Sequence, residues 1–526
     1  MTSILKYLNR ALLVLLLAAF AACSDNEGGN ESNGNGDDGN TETPADGDTY
    51  GYIKDTNGNP VEGVVVSDGY SCTATDAEGR YALTRNADAG FVFYSLPSAY
   101  KVSVDKTYKL PRFFARLQAG TARYDFTLEA LAAPEKRFDL ICIGDPQINE
   151  ASHAVRFKEE AGREIREYAA SAGVPCYGIT LGDHVNNKWT LFTNMVVALQ
   201  PEQTGVPVFA TIGNHDHEFP TADEKAARAK YESYFGTVDY SFNRGDVHVV
   251  SMDNVIHSCK ASADYEGGFT AAQYAWLKQD LSFVPKDKMV ILCVHIPFRG
   301  GWGTNSAHAD ADKYYDEVLD LLSQYEYAAI MSAHTHSNIN YIHRKNGKEI
   351  FEHVTGTTCG AWWRSTVCTE GTPIGFGLYR IDGNRMEEWA YRSVRHDEQF
   401  QIRLYRASDT FVGGAKYRFK QTGADQIVAN IWNWDPSWTV NVYENDVLSG
   451  QMTRNSDIDA WTVAYHIGLL NNTDSYRKSS DHMFHYTLKN PAAAVRVEAI
   501  DRFGNKYEQT VFTDPAEHPG DFHADF

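Results

Sequence analysis

The chain has 526 residues, a hydrophobic fraction of 43% and a formal net charge of −21. That length suits about three domains, and the apolar content is enough for a sizeable core. So acidic a surface repels nucleic acid and anionic lipid, which excludes a phosphate-backbone binder. Any anionic substrate must be drawn in by something other than the bulk surface.

At the N-terminus Lys6 and Arg10 precede an apolar run, residues 11–22, and small residues lead into Cys23. The run is shorter than the roughly 20 residues that span a bilayer, so residues 1–22 read as a cleaved signal peptide. "AAFAAC" resembles a bacterial lipobox, which implies lipidation at Cys23, export and attachment at the outer membrane, on its periplasmic or cell-surface face. An ordinary secretory signal with an incidental Cys is the alternative. Residues 23–48 are rich in Gly, Asn, Asp and Glu and read as a disordered tether. Seven further cysteines follow without a CxxC pair. Cys142, Cys176 and Cys293 sit in apolar runs as small hydrophobes, and Cys359 and Cys368 are spaced so that they could pair across a loop.

Residues 49–130 alternate short β-branched runs with Gly, Asn, Asp and Pro turns, the pattern of an all-β module. This block resembles the carboxypeptidase-regulatory-like β-sandwich, which implies a spacer or docking role. In residues 134–398 the rhythm changes. The near-continuous apolar run "FDLICIGD" is expected of a strand buried on both faces. It is followed by a helical stretch ending at Gly173, then by strands "VPCYGITLGD", "VPVFATIGNHD", "VHVVSMD", "MVILCVHIPF" and "YAAIMSAHTH". Helices are expected between them, near 221–234, 270–282 and 311–324 among others. Alternating strands and helices predict an α/β layered core. Residues 400–526 return to strands, including a hairpin around Asp501–Asn505, and read as a C-terminal all-β accessory domain.

The chemistry lies where the middle strands stop. They end on Asp145 and Gln147, on Asp183, on Asn214 and His215, on His295, and on His334 and His336. Ligands of open α/β sheets gather at the carboxyl ends of strands. Turn chemistry favours Gly, Asn and Asp, but does not call for His at three endings. Two carboxylates, two carboxamides and three imidazoles suit divalent cations of borderline hardness. They suffice for two ions sharing a bridging carboxylate, about 3.5–4 Å apart. Such ions would also supply local positive potential on an acidic protein. His215 is left over for proton transfer.

The ordered pieces "GDPQ", "GDH", "GNHD", "VHIP" and "AHTH", from Asp145 to His336, resemble the signature of the calcineurin-like metallophosphoesterase superfamily. The wider layout resembles its exported bacterial members with added N- and C-terminal β domains. The resemblance implies a metal-dependent phosphoester hydrolase with two divalent ions (Mn, Fe, Zn or Mg) and a bridging hydroxide as nucleophile. Asp145, Gln147, Asp183 and His336 would hold one ion; Asp183, Asn214, His295 and His334 the other. His215 would assist the leaving oxygen and Asp216 would orient His215. Two departures stand out. Gln147 occupies the usual His place, a harder neutral ligand that shifts preference away from Zn, and Ala333 replaces a Gly. His184 and His217, flanking the motifs, are expected in solvent or behind the ligands.

Two substrate contacts are expected beyond the ligands. Arg299, in "FRGGWGTN", could meet a phosphate oxygen or simply point to water. Trp362, in "CGAWWR", could form a platform for a sugar or base, while at least one of Trp362 and Trp363 is expected to be buried. The expected partner is a phosphorylated small molecule or glycan, with no nucleic acid and membrane contact through the lipid alone. A degenerate member that binds phospho-glycan or metal without turnover is the alternative, as is a scaffold whose β domains do the work.

Overall fold

The computed structural model describes residues 48–299, 313–409, 411–413, 417–419, 423, 425–470 and 478–510. The leader, Cys23, nearly all of the tether and the 300–305 part of the Gly-rich loop lie outside these residues.

The central block is two facing sheets with helices outside. Its strands are β1 (Arg137–Ile143), β2 (Cys176–Leu181), β3 (Val208–Thr211), β4 (Tyr240–Arg244), β5 (Val247–Ser251), β6 (Val255–His257), β7 (Tyr265–Gly267), β8 (Met289–Cys293), β9 (Tyr327–Ser332), β10 (Ile339–Lys345), β11 (Lys348–Val354), β12 (Gly375–Asp382) and β13 (Arg385–Ser393). One sheet has the order β3-β2-β1-β12-β13 and the other β4-β5-β8-β9-β11-β10, with β6 and β7 forming a separate hairpin. β1, β2 and β3 run parallel, as do β5, β8, β9 and β11. β1 is the near-continuous apolar run of the sequence, and β2 and β8 are buried at every position. The inner faces meet through aromatic packing, with the Phe209 and Phe242 rings stacked 3.8 Å apart.

Helices connect the parallel strands. Ala151–Phe157 and Arg163–Ser171 form one rod through a π-turn at Lys158–Gly162. Gly173 follows with φ +72°, the left-handed conformation that stops a helix. Ala271–Ser282 opens on a capping box in which the Thr270 hydroxyl and the Gln273 side chain satisfy each other's backbone N–H groups.

The flanking blocks are all-β. The N-terminal one holds a three-stranded sheet and a four-stranded sheet. It is sealed to the core by Trp276, whose Nε1–H donates to Ser67 Oγ at 3.0 Å, and by Arg244, which donates to the Pro97 and Tyr100 carbonyls. The C-terminal one holds two four-stranded sheets, one around Gln426–Asn430 and Ser479–Thr487, the other around Thr439–Glu444 and Val495–Ile500. The hairpin expected around residues 501–505 joins Val495–Ile500 to Lys506–Gln509. Cys142, Cys176 and Cys293 are buried in their strands, and Cys359 and Cys368 stand as buried free thiols.

Candidate metal centre

The carboxyl ends of β1, β2, β3, β8 and β9 face one another, and the polar residues that follow them converge. The turns carrying them are bent where an ordinary side chain resists bending. Asp145, Gln147, Asp183, His334 and His336 all have left-handed backbones, with φ between +36° and +66°. Each such non-glycine residue costs on the order of 1 kcal/mol or more and persists only where the surroundings hold it. The glycines beside them have a packing reason. A Cβ on Gly182, itself at φ +95°, would fall 2.4 Å from His295 Nδ1, and one on Gly213 would fall 2.3 Å from the Asp183 nitrogen. Ala333, where the superfamily pattern has Gly, is fully buried and outside the left-handed region, so the methyl group costs the turn nothing.

His295 Nδ1–H donates to the Leu181 carbonyl at 2.7 Å, which turns Nε2 inward. That nitrogen lies 3.0 Å from Asn214 Oδ1, 3.1 Å from His334 Nδ1 and 3.4 Å from Asp183 Oδ1. One ligand atom from each of Asp183, His295 and His334 falls within 4.8 Å of the other two. On the other side, Asp145 Oδ1 lies 3.7 Å from His336 Nε2, and Gln147 Nε2 donates to Asp183 Oδ2 at 3.1 Å. Asp183 sits between the two groups, in contact with both. All seven expected ligands are thus together, each less than a tenth exposed.

The donor set fits divalent cations. Asp145 Oδ1 and Gln147 Oε1 are buried without a hydrogen-bond partner among the described residues. An orphaned carboxylate oxygen and amide oxygen, buried beside a second carboxylate, is a costly arrangement unless positive charge joins it. The electrostatics agree. Burial opposes charge on His295, but Asp183 and Asp145 outweigh it and raise its pKa to about 9. Burial likewise opposes ionisation of Asp183, yet His295 and His215 hold its carboxyl well below the usual range. Burial holds His336 at about 3, a neutral imidazole able to act as a ligand.

His215 is half-buried at the edge of this cluster. Its backbone N–H donates to Asp183 Oδ1, and its ring Nδ1 lies 2.8 Å from Asn187 Oδ1. Asp216 does not orient it. The Asp216 carboxylate instead accepts from His184 Nδ1 and from the backbone N–H groups of Gly213, His184 and Val185, tying the β2 and β3 turns together. Sequence reasoning missed Asn187, although it lies four residues beyond Asp183 in the same turn. His184 and His217 are both buried behind the ligands. His217 bridges the Gly213 carbonyl and Asp253. Tyr265, on the β6–β7 hairpin, was also missed; its hydroxyl lies 3.2 Å from His334 Nε2.

The two expected substrate contacts separate. The half-buried ring of Trp362 lies 4.8 Å from that of His336, beside the ligands, while Trp363 is buried with its Nε1–H on the Pro146 carbonyl. Arg299 instead stands over the ring of Tyr341 at 5.5 Å. It lines a cleft of about 220 Å³ with Asn338, Trp434 and Arg454, in which none of the seven ligands takes part.

A two-sheet α/β sandwich with histidines, carboxylates and carboxamides on five strand ends defines a metallophosphoesterase core. Three family models match in chain order: the N terminal of calcineurin-like phosphoesterase over residues 48–131, calcineurin-like phosphoesterase over 124–338, and the C terminal of calcineurin-like phosphoesterase over 352–507. The chain belongs to the calcineurin-like phosphoesterase family, with all-β domains on both sides of the core. Among curated relatives it is 27% identical over 180 residues to purple acid phosphatase 23 of Arabidopsis thaliana, covering 31% of this chain and 36% of that protein. It is 25% identical over 182 residues to purple acid phosphatase 18 of the same plant, covering 32% and 38%. The chain thus spans little more than a third of the length of these relatives. Among solved structures, a 5'-nucleotidase precursor from Thermus thermophilus aligns over 71% of this chain and 88% of that one, at 9% identity and a TM-score of 0.31.

Proposed function

We propose that the protein hydrolyses phosphate esters with two divalent cations held by Asp145, Gln147, Asp183, Asn214, His295, His334 and His336. The observation that carries this reading is the pair of buried orphan oxygens, Asp145 Oδ1 and Gln147 Oε1, beside the inward-facing side chains of Asn214, His295 and His334. When bound, the cations supply charge for the phosphoryl oxygens and lower the pKa of the attacking water. The chain's own residues do the rest. Asp183, touching both ligand groups, is the carboxylate that both cations would share. Asn187 accepts from Nδ1–H of His215, so Nε2 is the atom that carries a proton to the leaving oxygen. Trp362 offers an apolar face beside His336 for the alcohol portion of the ester.

The test is turnover of a chromogenic phosphate monoester and the matching diester by the full chain reloaded with Mn²⁺. Hydrolysis that is lost with chelator and with Asn214→Ala supports the reading, and the ratio of rates assigns the ester class. No turnover of either ester by a metal-loaded chain points instead to the binding-only alternative.

We further infer export and lipid attachment at Cys23, supported by the order of Lys6, Arg10, apolar run and Cys in the sequence. Metabolic labelling with a fatty acid, lost in Cys23→Ser, checks it.

A further inference from the structure

The turn bearing His334 and His336 is strained at both of its candidate ligands. Both histidines are left-handed, with φ +66° and +53°. Thr335 between them is 2% exposed, and its carbonyl needs a donor that water cannot readily supply. That donor comes from the C-terminal domain. Lys478, just before the strand Ser479–Thr487, donates from Nζ to the Thr335 carbonyl at 2.7 Å and lies 2.6 Å from Ser337 Oγ. Burial draws the pKa of this ammonium down to about 8, with Glu370 opposing the shift. Glu370 in turn accepts from the backbone N–H of Asn338 at 3.0 Å and lies 3.7 Å from His482 on the same C-terminal strand. The Asn338 side chain donates to the Trp432 carbonyl at 2.9 Å. Residues 335, 337 and 338 are therefore each tied to the C-terminal domain, directly or through Glu370, while His334 is tied to the core through Asp145 Oδ2.

We propose that the C-terminal domain completes the metal centre, with Lys478 as a positioning residue that holds the His334–Thr335–His336 turn in its ligating conformation. The proposal rests on the metal-centre reading above. An accessory domain that served only as a spacer would have no reason to place a partly buried lysine on the one carbonyl between two ligands. Outer partners of metal ligands commonly change metal affinity about 10–100-fold when removed, and a strained ligand turn is where such support matters most.

The experiment compares Mn²⁺ affinity and stoichiometry, by competition with a chelating dye, in the full chain and in Lys478→Met, Lys478→Arg, Ser337→Ala and Asn505→Ala. Asn505 bonds the C-terminal domain to Glu388 on β13 and touches no ligand turn, so it controls for loss of any domain contact. The expected result is about tenfold or greater weakening of at least one Mn²⁺ site in Lys478→Met. Partial rescue in Lys478→Arg, a smaller loss in Ser337→Ala and no change in Asn505→Ala are expected alongside. The metal-induced rise in Tm should shrink in Lys478→Met while the Tm in chelator stays near that of the parent. If Lys478→Met does not fold, Ser337→Ala carries the test. Unchanged Mn²⁺ affinity in the folded variants overturns the proposal and leaves the metal centre standing. A parent chain that binds no Mn²⁺ overturns both.

Discussion

Asp216 Oδ2 lies 2.9 Å from Nδ1 of His184, while the ring of the adjacent His215 is held by Asn187. Neighbours in sequence thus differ in place: Asp216 braces the turns, while His215 stands at the edge of the ligand cluster, where the proposed function gives it proton transfer. Asn187→Ala should lower kcat about 10–100-fold with little change in bound metal, since it removes only the orientation of the proton donor. Asp216→Ala should act on stability. Four hydrogen bonds converge on that fully buried carboxylate, and leaving their donors unpaired costs about 3 kcal/mol or more. A thermal melt beside steady-state kinetics separates the two outcomes; equal loss of Tm in both variants would refute the division.

Gln147 tests the ligand departure. Gln147→Ala removes an orphan amide oxygen and should leave one cation tightly bound and the other weak. Gln147→His replaces a hard neutral donor with imidazole and should move the preference toward Zn²⁺ over Mn²⁺. Metal content after dialysis against a Zn²⁺/Mn²⁺ mixture reads both effects.

The spacing at Gly182 leaves no room for a methyl group. Gly182→Ala places a Cβ 2.4 Å from His295 Nδ1 at a left-handed position, so the ring or the turn must move. We expect a loss of about 2–4 kcal/mol in stability and a metal affinity reduced at least tenfold, read by denaturant unfolding and metal titration.

A pH effect is expected away from the metal centre. Burial, with Asp253 close by, raises the Asp239 carboxyl from its ordinary value near 4 to about 7. The folded state therefore holds a proton that the unfolded chain releases above pH 4. Stability from this group is full below pH 4 and is lost progressively as pH rises to 7. Asp239→Asn cannot titrate, so the fall in unfolding free energy between pH 5 and pH 7.5 should be smaller in the variant than in the parent. Equal slopes would remove Asp239 as the source.

How much of this was legible in the sequence follows from which interactions are local. The parallel strands that carry the site were legible as short strand segments, whereas β11, Lys348–Val354, was not, and the candidate ligands follow strand ends because β-sheet topology collects those ends on one edge. The helix stop at Gly173 and the hairpin before Lys506 were local turn chemistry. The supports were not legible. Lys478 meets Thr335 across 143 residues, and nothing in the sequence around either marks the contact. The resemblance implies that Asp216 orients His215, yet in the 3₁₀ turn over Asn214–Asp216 the Asp216 carboxylate meets His184 and the His215 ring meets Asn187. Arg299 followed a ligand strand but stands over Tyr341 in a cleft shared with the C-terminal domain.

The most direct measurement of the central claim is a titration of Mn²⁺ into the chelator-stripped chain, with bound metal and phosphoester hydrolysis followed together, in the parent and in Asp183→Asn. The account predicts two bound equivalents, hydrolysis rising with occupancy of the second, and loss of both in the variant that removes the shared carboxylate. Hydrolysis at full rate without metal, or two tight equivalents retained in Asp183→Asn, would contradict it.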